Sequence, residues 1–466
     1  MGRGITSYAT YVPRHRLHAA EIGAALSAPA GKGVRALASY DEDSTTLAVE
    51  AARRILPHGG DLDGCAPDLF FATTAPAYLD KTNASAIHAA LDLPRAGFAV
   101  DLIGSPRSAV GALRSAAAVG GLAVLADLRT GLPGSADERG GGDAAAAFRF
   151  ATDGTAPQEL AAEIRAEVSL TAEFLDRWRQ PGDPTSTQWE ERFGLETYVP
   201  LITDAATRAL AAAGVDEVDH LIVSCPHQKA AVTATRKLGG GRIPEEAPGI
   251  GYAGTADPGV RLAAVLDRAA PGETVLLVVA CDGADATVLR AGPAVATARR
   301  GAPVAEQVDG GRDVTYATYL TWRGLLQREP PRRPEPERPT APPSARDASW
   351  KFGFVGTACQ ACGQVHVPPR RVCAGCGAVD RMERRALADR PGTVATYTVD
   401  RLAFSPAPPM IDAVVDFDGG GRYTLEVADA SPDEIEIGTR LELTFRRLYT
   451  TGGVHNYFWK VRPTHG

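Results

Sequence analysis

In Gly97-Phe98-Ala99-Val100-Asp101-Leu102-Ile103-Gly104-Ser105-Pro106-Arg107-Ser108 a run of small and apolar residues reaches Leu102 and then breaks into a Gly-Ser-Pro loop. Alanine-rich Ser108–Ala118 follows, and then Leu122-Ala123-Val124-Leu125-Ala126. Apolar run, breaker, helical period and second apolar run read as strand, loop, helix and strand. The succession returns in Gly249–Gly254, a helix over Val260–Ala269 and the run Thr274–Val279. Another pair matches as well. A helical pattern between Ser44 and Pro57 leads to Asp68–Thr74, and Ile202–Ala213, ended by Gly214, leads to Asp219–Ser224. Two matching halves predict a duplicated α/β domain of layered sheets with helices between and outside them, and ligands at the carboxyl ends of the strands. Chance repetition in alanine-rich sequence is the alternative to duplication.

The chain has 466 residues, too many for one ordinary core. Its net charge of −7 supplies no general basic field, so no nucleic-acid partner is expected. No apolar run approaches the ~20 residues that span a bilayer, and no secretory segment follows Met1, so the expected location is the cytoplasm, with no membrane partner. Of seven cysteines, Cys65, Cys225 and Cys281 are scattered in apolar surroundings, which argues against a disulfide framework.

Prolines from Pro330 to Pro343 among Arg and Glu mark a linker, 326–347. It separates residues 1–325, with pseudo-repeats at about 1–165 and 166–325, from a ribbon at 348–385 and a barrel at 386–466. Cys359-x-x-Cys362 and Cys373-x-x-Cys376, each followed by glycine, have the spacing of two zinc knuckles, with a redox pair or a metal-free vestige as the alternatives. Four sulfur ligands leave no open position, so such a zinc is structural. His366 beside them is expected at the surface. Alternating runs at Gly392–Val399, Ile411–Phe417, Arg422–Val427 and Leu441–Phe445 then suggest a small barrel. From about Trp350 to Pro463 the chain resembles the zinc-ribbon/OB-fold proteins that accompany acyl-CoA thiolases. The resemblance implies a docking or acyl-CoA-handling accessory.

Tyr11-Val12-Pro13-Arg14, Asp41-Glu42-Asp43-Ser44-Thr45-Thr46, Cys225-Pro226-His227-Gln228-Lys229 and Tyr316–Arg323, in this order, resemble hydroxymethylglutaryl-CoA synthases. They also resemble type III 3-oxoacyl-acyl-carrier-protein synthases, within the thiolase superfamily. The resemblance covers about residues 1 to 325 and implies a thiolase-type α/β/α/β/α domain. It implies a cysteine nucleophile at a helix N-terminus, an assisting histidine, and Glu or Asn beside it. The histidine falls on His227, with Lys229 as a substrate contact. The cysteine loop falls on 101–108, which has no cysteine: Pro106 takes its place, with Ser105 adjacent. The Glu matches Thr74 and the Asn matches Tyr252. Gly140–Ala147 resembles the family's Gly-Asp-Gly-Ala segment, whose small residues permit close backbone packing.

Each position keeps a plainer reading. Ser105 activated by His227 competes with a loop serine capping the next helix. His227 as acid/base or thioester contact competes with a structural histidine. Tyr252 and Asp257 line a pocket or sit in surface turns, and Cys225 is inert packing. The expectation is therefore an acyl-CoA-handling condensing-enzyme homologue with a degenerate site, bound to a catalytic thiolase-type acyltransferase. Its ligands would be acyl-CoA or an acyl-carrier thioester, its cofactor a structural zinc, and its core a homodimer by resemblance. An independent enzyme using His227 without covalent capture, and a non-catalytic scaffold, are the alternatives.

Overall fold

The structure, a computed structural model, describes residues 3–56, 66–152, 154–239, 243–244, 249–329, 338 and 347–464. Cys65 and most of the expected linker lie outside the described residues. Ten strands form one sheet whose order repeats the duplication. From the middle outward one half runs Gly4–Tyr11, Ala144–Phe150, Leu122–Asp127, Leu69–Thr73 and Ala99–Ile103. The other runs Ala162–Thr171, Gly283–Ala291, Thr274–Ala280, His220–Ser224 and Ile243–Pro244. Within the sheet they join where Gly4 and Ile5 lie opposite Glu163 and Ala162.

Helices complete the layers. Ser44–Ile55 and Ala84–Ala90 pack on the first half. Ser108–Val119 and Asp257–Leu266 share the central core with strands of both halves. Glu191–Ala213 and Gln228–Leu238 cover the second half. Local chemistry sets the ends: the Asp43 carboxylate accepts from the Thr46 amide at 3.0 Å while the Thr46 hydroxyl accepts from the Asp43 amide at 2.8 Å, a reciprocal cap. Buried Ala109, Ala112 and Ala116 keep the central layer thin.

Two expectations change. The helix expected at Ile202 begins at Glu191 and carries Pro200 inside it. Proline reads as a breaker in sequence, whereas here the Thr203 hydroxyl donates to the Val199 carbonyl at 3.0 Å within the proline turn. Gly249–Gly254 is not a strand; it gives a turn and a single bridge from Tyr252 to Gly141. Among the described residues no helix is long and apolar enough to cross a membrane.

Downstream, Val355–Cys359, Val365–His366 and Met382–Ala386 make a three-stranded ribbon. Gly392–Asp400, Met410–Phe417, Arg422–Glu426, Arg440–Thr451 and Val454–Pro463 make a five-stranded sheet, and a Val427–Val461 bridge curls it into a barrel. The last strand escapes an alternation reading because charged Lys460 and Arg462 are buried in it.

Those charges belong to a seam with the α/β domain. Arg446, fully buried, lies 2.9 Å from Glu42 and 3.2 Å from Asp41, and also pairs with Asp429. Lys460 joins Asp41 at 2.8 Å to Glu426 at 2.6 Å. Arg462 reaches Glu50 at 3.2 Å, and Glu50 also accepts from the Phe445 amide at 3.0 Å. Around them Leu47, Ala51, Phe445 and Trp459 belong to one continuous apolar core. Buried charges persist only when paired and hydrogen-bonded, so the barrel is seated firmly on its own α/β domain.

Candidate functional site

The four ribbon cysteines converge, with their sulfurs all within 4.8 Å of one another. Cys359 and Cys376 sulfurs are 3.6 Å apart, as are those of Cys362 and Cys373. Zinc bound tetrahedrally at about 2.3 Å needs sulfurs about 3.8 Å apart, so the residues fit that ion. His366 is not at the surface: it is 5% exposed and its Nε2 lies 3.4 Å from the Cys373 sulfur. The ribbon folds back over it, and a ring nitrogen beside a ligating sulfur can orient that ligand.

In the α/β domain two cavities open near the strand ends. The first, about 460 Å³, contains Thr74, Ser105, Pro106, Cys281 and the arginines 129, 177 and 179. Ser105 and Pro106 form the turn from strand Ala99–Ile103 into helix Ser108–Val119; their carbonyls accept from the amides of Ser108 at 2.9 Å and Ala109 at 3.1 Å. The Cys281 thiol arrives at this turn from the end of strand Thr274–Ala280, beside the Ser105 hydroxyl and the Arg107 amide. Sequence reading placed Cys281 in apolar surroundings; the fold places it here. Burial, with Asp282 next to it, pushes its pKa up to about 12, so the sulfur rests as a thiol. The Asp282-Gly283 turn pair directly after Cys281, at the end of the apolar run, is the local sequence signal that marks it as a strand-end residue.

The second cavity, about 390 Å³, contains His227, Lys229, Asp137, Trp189 and Tyr252. Its structure leaves the imidazole fully engaged: His227 caps helix Gln228–Leu238, with Nδ1 accepting from the Ala230 amide at 3.0 Å and Nε2 donating to the Glu191 carbonyl at 2.8 Å. Lys229 is exposed and pairs with Glu191 at 2.6 Å. Tyr252 is 7% exposed, so it is no surface turn, and burial raises its hydroxyl pKa well above the ordinary value. Its position depends on the glycine-rich stretch: a Cβ on Gly142 would stand 1.9 Å from the Ile250 carbonyl oxygen. Asp257, also buried, accepts from the Ser224 hydroxyl at 2.6 Å and pairs with Arg261 at 2.8 Å.

Ser105 and His227 thus line different cavities, with Arg129 on the walls of both. Among the described residues no hydrogen bond joins them. Thr74 donates to Asp127 at 2.7 Å and accepts from Arg129 at 3.0 Å. This geometry offers a ligand helix-end amides, guanidiniums and a neutral thiol, the Cys281 thiol donating to the Asp282 carboxylate at 3.5 Å.

A ten-stranded sheet of two matching halves with helices between and outside them, and a cysteine ribbon and barrel behind it, define a thiolase-fold protein with an appended zinc-ribbon/OB module. Residues 353–380 match the ChsH2 rubredoxin-like zinc ribbon domain and 385–446 the ChsH2 C-terminal OB-fold domain. The hydroxymethylglutaryl-CoA synthase of Archaeoglobus fulgidus is 30% identical over 348 residues, covering 70% of this chain and 99% of that protein. A DUF35 domain-containing scaffold protein of Methanocaldococcus jannaschii is 31% identical over 125 residues, covering 26% of this chain and 88% of that protein. By these measures the chain belongs to the hydroxymethylglutaryl-CoA synthase family and ends in a module of the DUF35 family. The fold agrees: MvaS in complex with 3-hydroxy-3-methylglutaryl coenzyme A superimposes with a TM-score of 0.58 at 17% identity, over 72% of this chain and 95% of that one. The 3-oxoacyl-(acyl carrier protein) synthase III of Pseudomonas aeruginosa gives 0.53 at 17% identity, over 63% and 99%.

Proposed function

We propose that this chain handles acyl-CoA or acyl-carrier thioesters as a condensing-enzyme homologue with a degenerate site, working in complex with a catalytic thiolase-type acyltransferase. The observation that carries the reading is the turn 101–108: it keeps its helix N-terminus and its cavity but presents Ser105 and Pro106, with no cysteine in the loop. Pro106 also removes one backbone donor where an oxyanion would need it. Family membership of both parts, one a synthase and the other a scaffold module, supports thioester handling within an assembly.

In this reading Ser105 and Tyr252 are thioester contacts, His227 fixes the loop around the second cavity, and Lys229 lies at its mouth. The four ribbon cysteines, Cys359, Cys362, Cys373 and Cys376, hold a structural zinc. A homodimeric core places the edge strand Ala99–Ile103 against its copy. An acid/base role for His227 requires release of one ring nitrogen from Glu191 or Ala230, so independent catalysis through it has less support.

The test is copurification of the full chain with a thiolase-type acyltransferase encoded beside it, followed by turnover assays on acyl-CoA with and without that protein. Activity only in the complex is expected. Acyl transfer by the isolated chain, with an acyl group recovered on Ser105, would falsify the reading.

A further inference from the structure

Cys281 follows strand Thr274–Ala280 and, 5% exposed, lines the 460 Å³ cavity. Its thiol donates to the Asp282 carboxylate at 3.5 Å and lies beside the Ser105 hydroxyl and the Arg107 amide, where helix Ser108–Val119 begins. Both halves of the domain hold it there. Arg107, from the first half, donates to the Asp282 carbonyl at 2.8 Å and to the Asp285 carboxylate at 2.8 Å. Gly283 presses on strand Ala162–Thr171, since a Cβ on it would stand 2.1 Å from the Leu170 carbonyl oxygen. A second buried group faces the same space. Tyr198, 1% exposed, is on the cavity wall, and its hydroxyl has no hydrogen-bond partner among the described residues. Buried hydroxyls are almost always hydrogen-bonded, so this one is left for a ligand oxygen.

One sulfur thus has a carboxylate to take its proton, an amide and a hydroxyl to steady the thiolate, and a helix start whose dipole favours negative charge. Burial keeps it protonated at rest, so Asp282 is the group that makes it reactive. We propose that Cys281 captures the acyl group of a bound thioester, from a strand end in the opposite half to the loop 101–108 that has no cysteine. Asp282 accepts the Sγ proton as the sulfur attacks the thioester carbonyl, and Tyr198 donates to the oxygen that becomes negative. When the oxyanion collapses, the carbon–sulfur bond to the coenzyme breaks and Asp282 passes the proton to the departing thiolate. One thioester replaces another, leaving acyl-Cys281 and free coenzyme thiol, with no oxidant or further reactant consumed. This rests on the thioester reading above and names the atom that holds the acyl group, while onward transfer belongs to the complex.

The full chain is incubated with excess butyryl-CoA, quenched in acid, which spares thioesters, and read by intact mass and peptide mapping, with released thiol counted in parallel. The expected result is a single butyryl group on Cys281, removed again by excess free coenzyme and absent from Cys281→Ala. In Asp282→Asn its formation should slow by about a hundredfold, the scale of a lost general base. Asp282 has a φ of 50°, a conformation asparagine also adopts, so the turn survives that substitution. Calorimetry of butyryl-CoA on Cys281→Ala measures binding without capture. Binding with no adduct on the unmodified chain, a butyryl group on another cysteine that persists in Cys281→Ala, or an undiminished rate in Asp282→Asn overturns the proposed step and leaves thioester handling standing. An adduct on Ser105 overturns the reading above as well. Failure of butyryl-CoA to bind at all removes both together.

Discussion

Glu42 of the α/β domain and Arg446 of the barrel stand 2.9 Å apart, and neither side chain is more than 1% exposed. Arg446 also serves Asp41 and Asp429, so its removal leaves three carboxylates without their shared cation. Arg446→Ala is expected to destabilise the protein by about 3–5 kcal/mol, the range for breaking a buried pair from one side. Urea unfolding measures it; a loss under about 1 kcal/mol would mean that the seam is wet and screened in solution.

The same cluster makes the seam sensitive to pH. Burial pushes the Glu42 pKa from 4.5 up to about 7, against the attraction of Arg446 and with Asp429 and Asp41 adding to the rise. Tyr11 and the Ser39 amide complete its surroundings. A raised carboxyl contributes stability that is full below 4.5 and lost as pH climbs through 7. Asp41 runs the other way: burial would raise it, but Lys460 and Arg446 hold it below its ordinary value of 3.8, so its contribution is lost in acid. Thermal midpoints should therefore fall between about pH 5 and about pH 8, and Glu42→Gln should flatten that fall. An unchanged slope in Glu42→Gln would assign it to another group.

Zinc should be bound by the chain as purified, and its removal by a strong chelator should unfold the ribbon, because folding and coordination are one equilibrium in such sites. Native mass spectrometry gives the metal content, and thiol titration the freed sulfurs. A metal-free native mass with all four thiols reacting at once would reject the site.

His227 holds the Glu191 carbonyl and the Ala230 amide together. His227→Ala should cost about 0.5–2 kcal/mol, as loss of a helix cap does, while His227→Asn should recover part of it. In the proposed complex, turnover by His227→Asn should stay near that of the unmodified chain. A collapse of turnover without loss of stability would restore the histidine to the chemistry.

Strand Ala99–Ile103 pairs on one side only among the described residues, and Phe98 and Ile103 beside its free edge are 54% and 43% exposed. An open edge with apolar neighbours invites pairing with a copy of itself. Light scattering should report a dimer, and Ile103→Lys should shift it toward monomer. A monomeric unmodified chain at micromolar concentration would refute the arrangement.

Much of this was legible in the residues. Apolar runs and glycine stops located the paired strands and helices because their burial is two-sided, and the cysteine spacing announced the ribbon. What escaped the reading depends on contacts distant in sequence. Pro200 reads as a break until the helix around it is packed. Cys281 meets Ser105 only when the two halves close on each other. Lys460 and Arg462 look like surface charges in a strand until Asp41 and Glu50 are brought against them. His227 was visible by position, yet one of its hydrogen bonds goes to Glu191, which begins a different helix 36 residues earlier.

The seated barrel has a consequence for assembly. A scaffold module supplied as a separate protein would occupy its site according to concentration, and dilution would strip it away. Fused and locked by Arg446, Lys460 and Arg462, the ribbon and barrel are present at every α/β domain in fixed one-to-one ratio, whatever the dilution.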